Sequence, residues 1–143
     1  MDKFLIVGLG NIGFEYEHTR HNIGFDILDH FVARHKGMFS MDRLAFKAEI
    51  SLKGKKIICI KPTTYMNLSG KAVKYWLEKE NIDISRMFVL VDELSVPLNK
   101  LKIKPSGSDG GHNGLKSIQE MMGTAQYARL RFGIGNDFPT GRQ

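Results

Sequence analysis

Residues 4–8, Phe4-Leu5-Ile6-Val7-Gly8, form an apolar run that closes in a glycine-rich turn. A short run without polar residues, bounded by turn signals, is typical of a strand buried on both faces of a sheet. A second run of this kind, Met87-Phe88-Val89-Leu90-Val91, delivers Asp92 at its carboxyl end. Strands buried on both faces occur mainly in parallel sheets that carry helices on each side. The two runs therefore predict an α/β domain.

Segments with helical spacing alternate with these runs along the chain. Apolar residues recur every three or four positions from about Gly24 to His35, and again after Gly111. A further helix is expected to begin with Ser69 as its amino-terminal cap. These segments predict three helices.

The remaining strands are predicted from two kinds of pattern. Two β-prone runs, Phe46–Leu52 and Lys56–Lys61, flank Lys53-Gly54-Lys55 and predict a hairpin. Alternating apolar residues predict strands over residues 100–104 and 129–135. The order of elements favours a single-domain, three-layer α/β/α architecture with a mixed, mostly parallel sheet.

The composition fits one soluble domain. The chain has 143 residues, of which 42% are hydrophobic and 25% charged. Its 21 Lys and Arg residues exceed its 15 Asp and Glu residues, and the net charge of +6 favours a polyanionic partner. The single cysteine, Cys59, lies in an apolar run and is expected in the core. No apolar stretch approaches the roughly 18 residues of a membrane span, so we expect a cytoplasmic protein without a membrane partner.

The first turn matches a dinucleotide-binding pattern. Gly8-Leu9-Gly10-Asn11-Ile12-Gly13 has the form G-x-G-x-x-G directly after a predicted strand. However, residues 14–20 have no apolar helical face, and the next predicted strands form a hairpin where a crossover strand should carry a ribose-binding acid. A nicotinamide or flavin enzyme is therefore the less favoured alternative.

Polar residues follow several of the predicted strands. In open α/β sheets ligands bind outside the carboxyl ends of the strands, so we expect these residues to converge on one cleft. They are Asn11, Tyr16 and His21 after the first strand, Tyr65, Met66 and Asn67 after the hairpin, Asp92 after the 87–91 run, and His112 and Asn113 after the strand at 100–104.

These side chains suggest general-base chemistry. His21 and Asp92 fit a base and the carboxylate that orients it, although each also fits a simple cap of a helix or turn. The amides of Asn11, Asn67 and Asn113 fit stabilisation of an oxyanion, or ordinary loop positions. Since the chain has no G-x-S-x-G nucleophile elbow and no clear pattern of metal ligands, the nucleophile of a hydrolytic reaction would be an activated water.

Five motifs resemble those of bacterial-type peptidyl-tRNA hydrolases. They are residues 8–11 with Tyr16 and 19–22, residues 61–70, residues 92–94, residues 110–116 and residues 129–135. The resemblance runs through the whole chain in order. It implies a monomeric enzyme without cofactor that hydrolyses the ester between a peptide and the 3′ end of tRNA, and so recycles tRNA from aborted translation.

The resemblance also implies roles for individual residues. His21 would activate water, Asp92 would hold the basic form of His21, and Asn11 would recognise substrates whose amino group is blocked. Asn67 and Asn113 would bind the peptide backbone or the terminal nucleotide and place the water. The groove would be lined by Tyr16, Tyr65, Met66 and His112.

Basic residues supply a site for the RNA. Lys102 and Lys104 share one face of their predicted strand, and Arg129 and Arg131 share one face of theirs, so adjacent strands would form a basic stripe for phosphates. The resemblance singles out Lys104 and Arg131 for the 5′ phosphate of the tRNA. Lys102 and Arg129 fit a solvated sheet face equally well. For the chain as a whole, the alternative function is a non-catalytic RNA-binding module.

The family usually continues beyond the strand at 129–135. A mobile segment over the cleft is followed there by a carboxyl-terminal helix that packs on the sheet. We therefore expect residues 1–143 to form a peptidyl-tRNA hydrolase-like domain that lacks this helix. Either the sequence is a truncated form, or the closing elements are absent, in which case one sheet face would be partly uncovered.

Overall fold

The computed structural model describes residues 2–10, 23–93, 101–104 and 113–133, of which 23, 92–93, 101–104 and 130–133 are described by their backbone. The strands are β1 (Asp2–Gly8), β2 (Ser40–Asp42), β3 (Ala45–Leu52), β4 (Lys55–Pro62), β5 (Met87–Glu93), β6 (Leu101–Lys104) and β7 (Ala128–Gly133). The helices are α1 (Ile23–Arg34), α2 (Ser69–Glu80) and α3 (Asn113–Met122), with 3₁₀ turns at Met66–Leu68 and Ile84–Arg86. No helix within the described ranges is long and apolar enough to cross a membrane.

The strands form one sheet in the order β2-β3-β4-β1-β5-β7-β6. The four neighbouring strands β4, β1, β5 and β7 are parallel, whereas β3 and β6 run in the opposite direction. The parallel strands therefore end together, at Pro62, Gly8, Glu93 and Gly133, on what we call the carboxyl edge. The predicted mixed, mostly parallel sheet is confirmed.

Helices cover both faces of this sheet. One core cluster joins buried residues of α2 and α3, including Trp76, Leu115 and Ile118, to alternate residues of the central strands such as Val7 and Val89. A second cluster joins Leu28 and Val32 of α1 to the other face, where Cys59, Ile50 and Leu90 lie. The central strands are thus buried on both sides, which explains their continuous apolar runs. The predicted three-layer arrangement is confirmed.

The predicted hairpin is present, with a tighter turn than expected. β3 and β4 pair from Ala45 opposite Pro62 to Leu52 opposite Lys55, so two residues form the turn. Lys53 and Gly54 both have positive φ, 51° and 78°, as a type I′ turn requires. This turn matches the twist of the strands that it joins.

The start of α2 and the strand β2 differ from the prediction. Ser69 is the first residue of α2, and its Oγ donates a hydrogen bond to the carbonyl oxygen of Met66 at 2.8 Å. The predicted capping role is therefore wrong, because the 3₁₀ turn at Met66–Leu68 leads straight into the helix. β2 is a short edge strand whose three residues are all exposed, so no alternating pattern marks it.

Two glycines bring α1 against the ends of β1 and β5. A Cβ atom on Gly24 would lie 2.5 Å from the carbonyl oxygen of Leu9 and 2.6 Å from that of Leu90. A Cβ atom on Gly8 would lie 2.7 Å from the carbonyl oxygen of Gly24. Leu9 also donates a backbone hydrogen bond to Leu90 at 3.1 Å. Because all these neighbours are backbone atoms, neither position has room for a side chain.

We expect Gly24→Ala to lower the free energy of unfolding by about 3 kcal/mol or more, because the new methyl group meets backbone that cannot move aside. Gly54→Ala is the matched control. It places a methyl group in open space, and only its positive φ opposes it, at about 1–2 kcal/mol. Urea denaturation of both variants measures the difference. Equal losses would contradict the close approach of α1.

Candidate active site

The chain lies at the carboxyl edge both just before and just after residues 11–22. β1 ends at Gly8, and the chain continues through Leu9 and Gly10 before residue 11. It is described again from Ile23, where α1 begins against the ends of β1 and β5. Both ends of this segment therefore lie at the carboxyl edge.

Asp92 occupies the centre of the same edge. It is the penultimate residue of β5, and its register partner in the parallel strand β7 is Phe132. On the other side, β5 pairs with β1 up to Gly8 opposite Leu90. Asp92 therefore follows the end of that pairing by two residues, at the place where the sequence predicted a polar residue.

The turn after β4 presents the next group of predicted residues. Thr63 donates a backbone hydrogen bond to Leu44 at 2.9 Å, and Leu68 donates one to Tyr65 at 2.8 Å. Tyr65 is 77% exposed and Asn67 is exposed, whereas Met66 is partly buried against the core. Asn67 and Tyr65 thus offer their side chains to solvent, and Met66 packs inward.

Asn113 lies at the start of a helix that does not follow a parallel strand of the sheet. β6 is antiparallel to β7, so Lys104 at its end pairs with Arg129 near the beginning of β7, away from the carboxyl edge. The expectation that Asn113 follows a strand ending at the carboxyl edge is therefore wrong. Asn113 is instead the first, exposed residue of α3, a helix that leads through residues 123–127 into the amino end of β7.

Contacts with α2 fix the position of α3 along the direction of that helix. The backbone amide of Gly70, in the first turn of α2, donates to Ser117 Oγ at 2.8 Å. A Cβ atom on Gly70 would collide with the carbonyl oxygen of Ser117. Ser117 lies about one helical turn after Asn113, so the amino terminus of α3 lies beyond the start of α2, on the side of the Asn67 turn.

Several predicted site residues fall outside this description. Asn11, Tyr16, His21 and His112 lie outside the described residues. Lys104 and Arg131 are placed by their backbone in β6 and β7, which are neighbouring strands. Lys102 pairs with Arg131 and Lys104 with Arg129, so the four basic positions are adjacent in the register.

Arg129 differs from the expected solvated position. It is fully buried, and its Nη2 atom donates to the carbonyl oxygens of Ala125 at 2.6 Å and Tyr127 at 3.3 Å. Its guanidinium also lies 4.1 Å from the centre of the Tyr127 ring. Its register partner in β5 is Val89, which is buried on the face covered by α2 and α3. Alternation correctly placed Arg129 on one face, but the neighbouring elements cover that face.

Thr64 was not singled out from the sequence. It lies between Pro62 and Asn67, and its Oγ1 atom is buried without a hydrogen-bond partner among the residues that the structure describes. An unpaired buried hydroxyl costs about 1–3 kcal/mol. A single sequence gives no sign of this, because threonine is common in turns.

Cys59 does not fit the role of a nucleophile. It is buried in β4, and burial raises the pKa of its thiol to about 12. Its thiol therefore stays protonated near neutral pH and is a poor nucleophile. The prediction that Cys59 is a core residue is confirmed. Among the described residues, no group of three His, Cys, Asp or Glu side chains could hold a metal ion.

The parallel strands and the polar residues at their carboxyl ends define an α/β fold of the class in which ligands bind at that edge. The sequence profile of the peptidyl-tRNA hydrolase family matches residues 5–143. Peptidyl-tRNA hydrolases of Phocaeicola vulgatus and Bacteroides fragilis are each 55% identical over 141 residues, which are 99% of this chain and 75% of theirs. The chain belongs to the peptidyl-tRNA hydrolase family.

Solved structures agree with this assignment. The crystal structure of peptidyl-tRNA hydrolase from Acinetobacter baumannii has a TM-score of 0.91 to this fold at 33% sequence identity. The match covers 97% of this chain and 71% of that one. An Arg119Gln mutant of the Acinetobacter enzyme matches with the same TM-score over 99% of this chain and 72% of its own. The fold and the family are therefore established by independent comparisons.

We expect the Cys59 thiol to resist labelling by a disulfide reagent at pH 8 in the folded protein and to react fully in denaturant. Folding raises the pKa of the Cys59 thiol, so the free energy of unfolding also depends on pH. The contribution of the buried neutral thiol to this free energy is complete below about pH 9 and is lost as the pH rises toward about 12. Relative to Cys59→Ala, the wild-type chain should lose about 1 kcal/mol of unfolding free energy between pH 8 and pH 10. Rapid native labelling, or identical pH profiles for the two proteins, would contradict the buried thiol.

Proposed function

We propose that this chain hydrolyses the ester bond that joins a peptide to the 3′ end of tRNA, with water as the nucleophile. The observation that carries this proposal is the family match over residues 5–143. It is supported by the carboxyl edge, where Asp92 is the penultimate residue of β5, Asn67 follows β4 and Asn113 begins α3. The reaction recycles tRNA from peptidyl-tRNA released during aborted translation.

In the proposed mechanism His21 acts as the general base. It takes a proton from a water molecule, whose oxygen attacks the ester carbonyl and forms a tetrahedral intermediate. The bond between the former carbonyl carbon and the ribose 3′ oxygen then breaks. The proton on His21 passes to that oxygen, which leaves as the 3′ hydroxyl of the tRNA. Asp92 holds the imidazole in its basic tautomer and stabilises the imidazolium that forms. An aminoacyl ester is already activated, so no covalent enzyme intermediate and no cofactor are required.

Asparagine amides hold the reacting groups. Asn67 and Asn113 place the water and bind the peptide backbone or the terminal nucleotide, as neutral donors that do not neutralise the base. Asn11 selects substrates with a blocked amino group, because a free ammonium would lose its hydration without gaining a partner. Exposure of Asn67 on its turn is consistent with such contacts. The groove around these groups is lined by Tyr16, Tyr65, Met66 and His112.

The RNA is bound through its phosphates. Lys104 and Arg131 bind the 5′ phosphate of the tRNA, supported by the adjacency of β6 and β7 and by the net charge of +6. Arg129 has a different role, because its guanidinium is engaged with the backbone of residues 125 and 127. The enzyme works as a monomer in the cytoplasm, where its substrate is produced.

We expect His21→Ala to lower kcat/KM for an N-acetyl-aminoacyl-tRNA by at least about 10³-fold, because water then lacks its base. His30→Ala is the matched control, since His30 is an exposed histidine on α1. Release of tRNA is followed over time, and circular dichroism checks the fold of both variants. Retained turnover in His21→Ala would remove His21 from the mechanism. A wild-type chain that binds the substrate without hydrolysing it would favour the RNA-binding module.

We expect Arg131→Ala and Lys104→Ala each to weaken tRNA binding about tenfold and to reduce the slope of log K against log salt by about 0.7–0.9, since each removes one phosphate contact. Turnover of a minimal esterified nucleotide should stay unchanged, because it lacks the 5′ end of the tRNA. Lys79→Ala, an exposed cation in the last turn of α2, serves as the control. Equal losses on tRNA and on the minimal substrate would contradict the phosphate-binding role.

A further inference from the structure

Lys61 lies in a cage of aromatic rings on the α1 face of the sheet. Its Nζ atom is 4.4 Å from the ring centre of Phe39 and 5.7 Å from those of Phe25 and Phe46. The same atom forms an ion pair with Asp29 Oδ1 at 2.6 Å. Only 16% of the side chain is exposed. The Asp29 side chain is 47% exposed. The ammonium group is therefore held by three rings, which lie within the range of cation–π attraction, and by one partly exposed carboxylate.

The cage connects parts of the chain that are distant in sequence. Phe25 lies in the first turn of α1 and Asp29 at the end of its second turn, and Phe39 lies between α1 and β2. Phe46 is the direct register partner of Lys61 across β3 and β4. One ammonium thus links the beginning of α1 to β4.

These two elements border the two halves of the proposed active site. α1 begins directly after residues 11–22, which include the candidate base His21. β4 leads through Pro62 into the turn that carries Asn67. The backbone contacts of Gly24 attach α1 to the ends of β1 and β5. A polar link from α1 to β4 at this end of the sheet is supplied by Lys61 and Asp29.

We propose that Lys61 is a positioning residue, which fixes the first two turns of α1 relative to β4. The start of α1, which follows the proposed base His21 in the chain, is thereby held relative to the Asn67 turn. This inference rests on the proposed function. Small displacements of reacting groups have large effects on rate, because the attack geometry must be nearly correct before the barrier is crossed. Loss of the ammonium should therefore affect kcat more than substrate binding.

Lys47 provides a closely matched control. Its Nζ atom lies 5.4 Å from the ring centre of Trp76 and forms ion pairs with Glu49 at 3.3 Å and Glu80 at 3.8 Å. Its side chain is 21% exposed. It therefore makes the same kinds of interaction as Lys61, but on the face covered by α2 and with the last residue of that helix.

The test compares Lys61→Met, Lys61→Arg and Lys47→Met with the wild-type chain. Kinetics on N-acetyl-aminoacyl-tRNA are measured well below the Tm of each variant, and hydrogen exchange is measured for residues 23–29. We expect Lys61→Met to lower kcat about tenfold, with KM changed less than about twofold, and to speed exchange at the start of α1. Lys61→Arg should restore most of kcat, because a guanidinium also binds rings and carboxylates. Lys47→Met should lower Tm without changing kcat or the hydrogen exchange of residues 23–29.

Three results would overturn the positioning role. One is a Lys61→Met variant with lower Tm and unchanged kcat. The second is an equal loss of kcat in Lys47→Met, which would reflect general destabilisation. The third is unchanged exchange at residues 23–29. A wild-type chain without hydrolytic activity would contradict the proposed function, and the exchange measurement would still decide whether Lys61 holds α1.

Discussion

The contact between the backbone of Gly24 and the carbonyl oxygens of Leu9 and Leu90 determines how the rest of the molecule is arranged. It seats the first turn of α1 on the ends of two neighbouring parallel strands, and any side chain at Gly24 would push them apart. Because β1 ends and α1 starts there, the described residues on either side of 11–22 lie at one edge of the sheet. Asp92 lies only two residues beyond Leu90 in the same strand. The proposed chemistry therefore depends on a position where the chain has no room for even a methyl group.

Elements with strong local patterns could be predicted from the sequence, and elements set by distant contacts could not. The β5 run and the hairpin around Lys53 and Gly54 are marked by local apolar and turn residues, and both are present. The direction of β6 depends on its pairing with β7, which no residue of β6 encodes. Burial of Arg129 has the same origin, since alternation assigns a residue to a face without saying whether a helix covers that face.

The candidate site follows the same division. Asp92 and Asn67 could be predicted because each follows a recognisable strand, and the carboxyl ends of parallel strands meet. The surroundings of Lys61 could not be predicted, since Phe25, Phe39 and Phe46 are ordinary apolar residues until the fold brings them around one ammonium. Positions that follow a local strand pattern can therefore be predicted from a sequence. Roles that depend on several converging segments require the structure.

The amino and carboxyl ends of the parallel strands, which we call the amino edge and the carboxyl edge, differ in their polar groups. At the amino edge, Lys3 pairs with Glu80 at 3.2 Å and Arg86 with Asp2 at 3.2 Å, so charges there are neutralised within the protein. Such partly exposed pairs contribute little each, and most of the stability comes from the two apolar clusters between the edges. The carboxyl edge can therefore keep exposed polar groups such as Asn67 and Asn113 for a substrate, because the fold does not need them for its own cohesion.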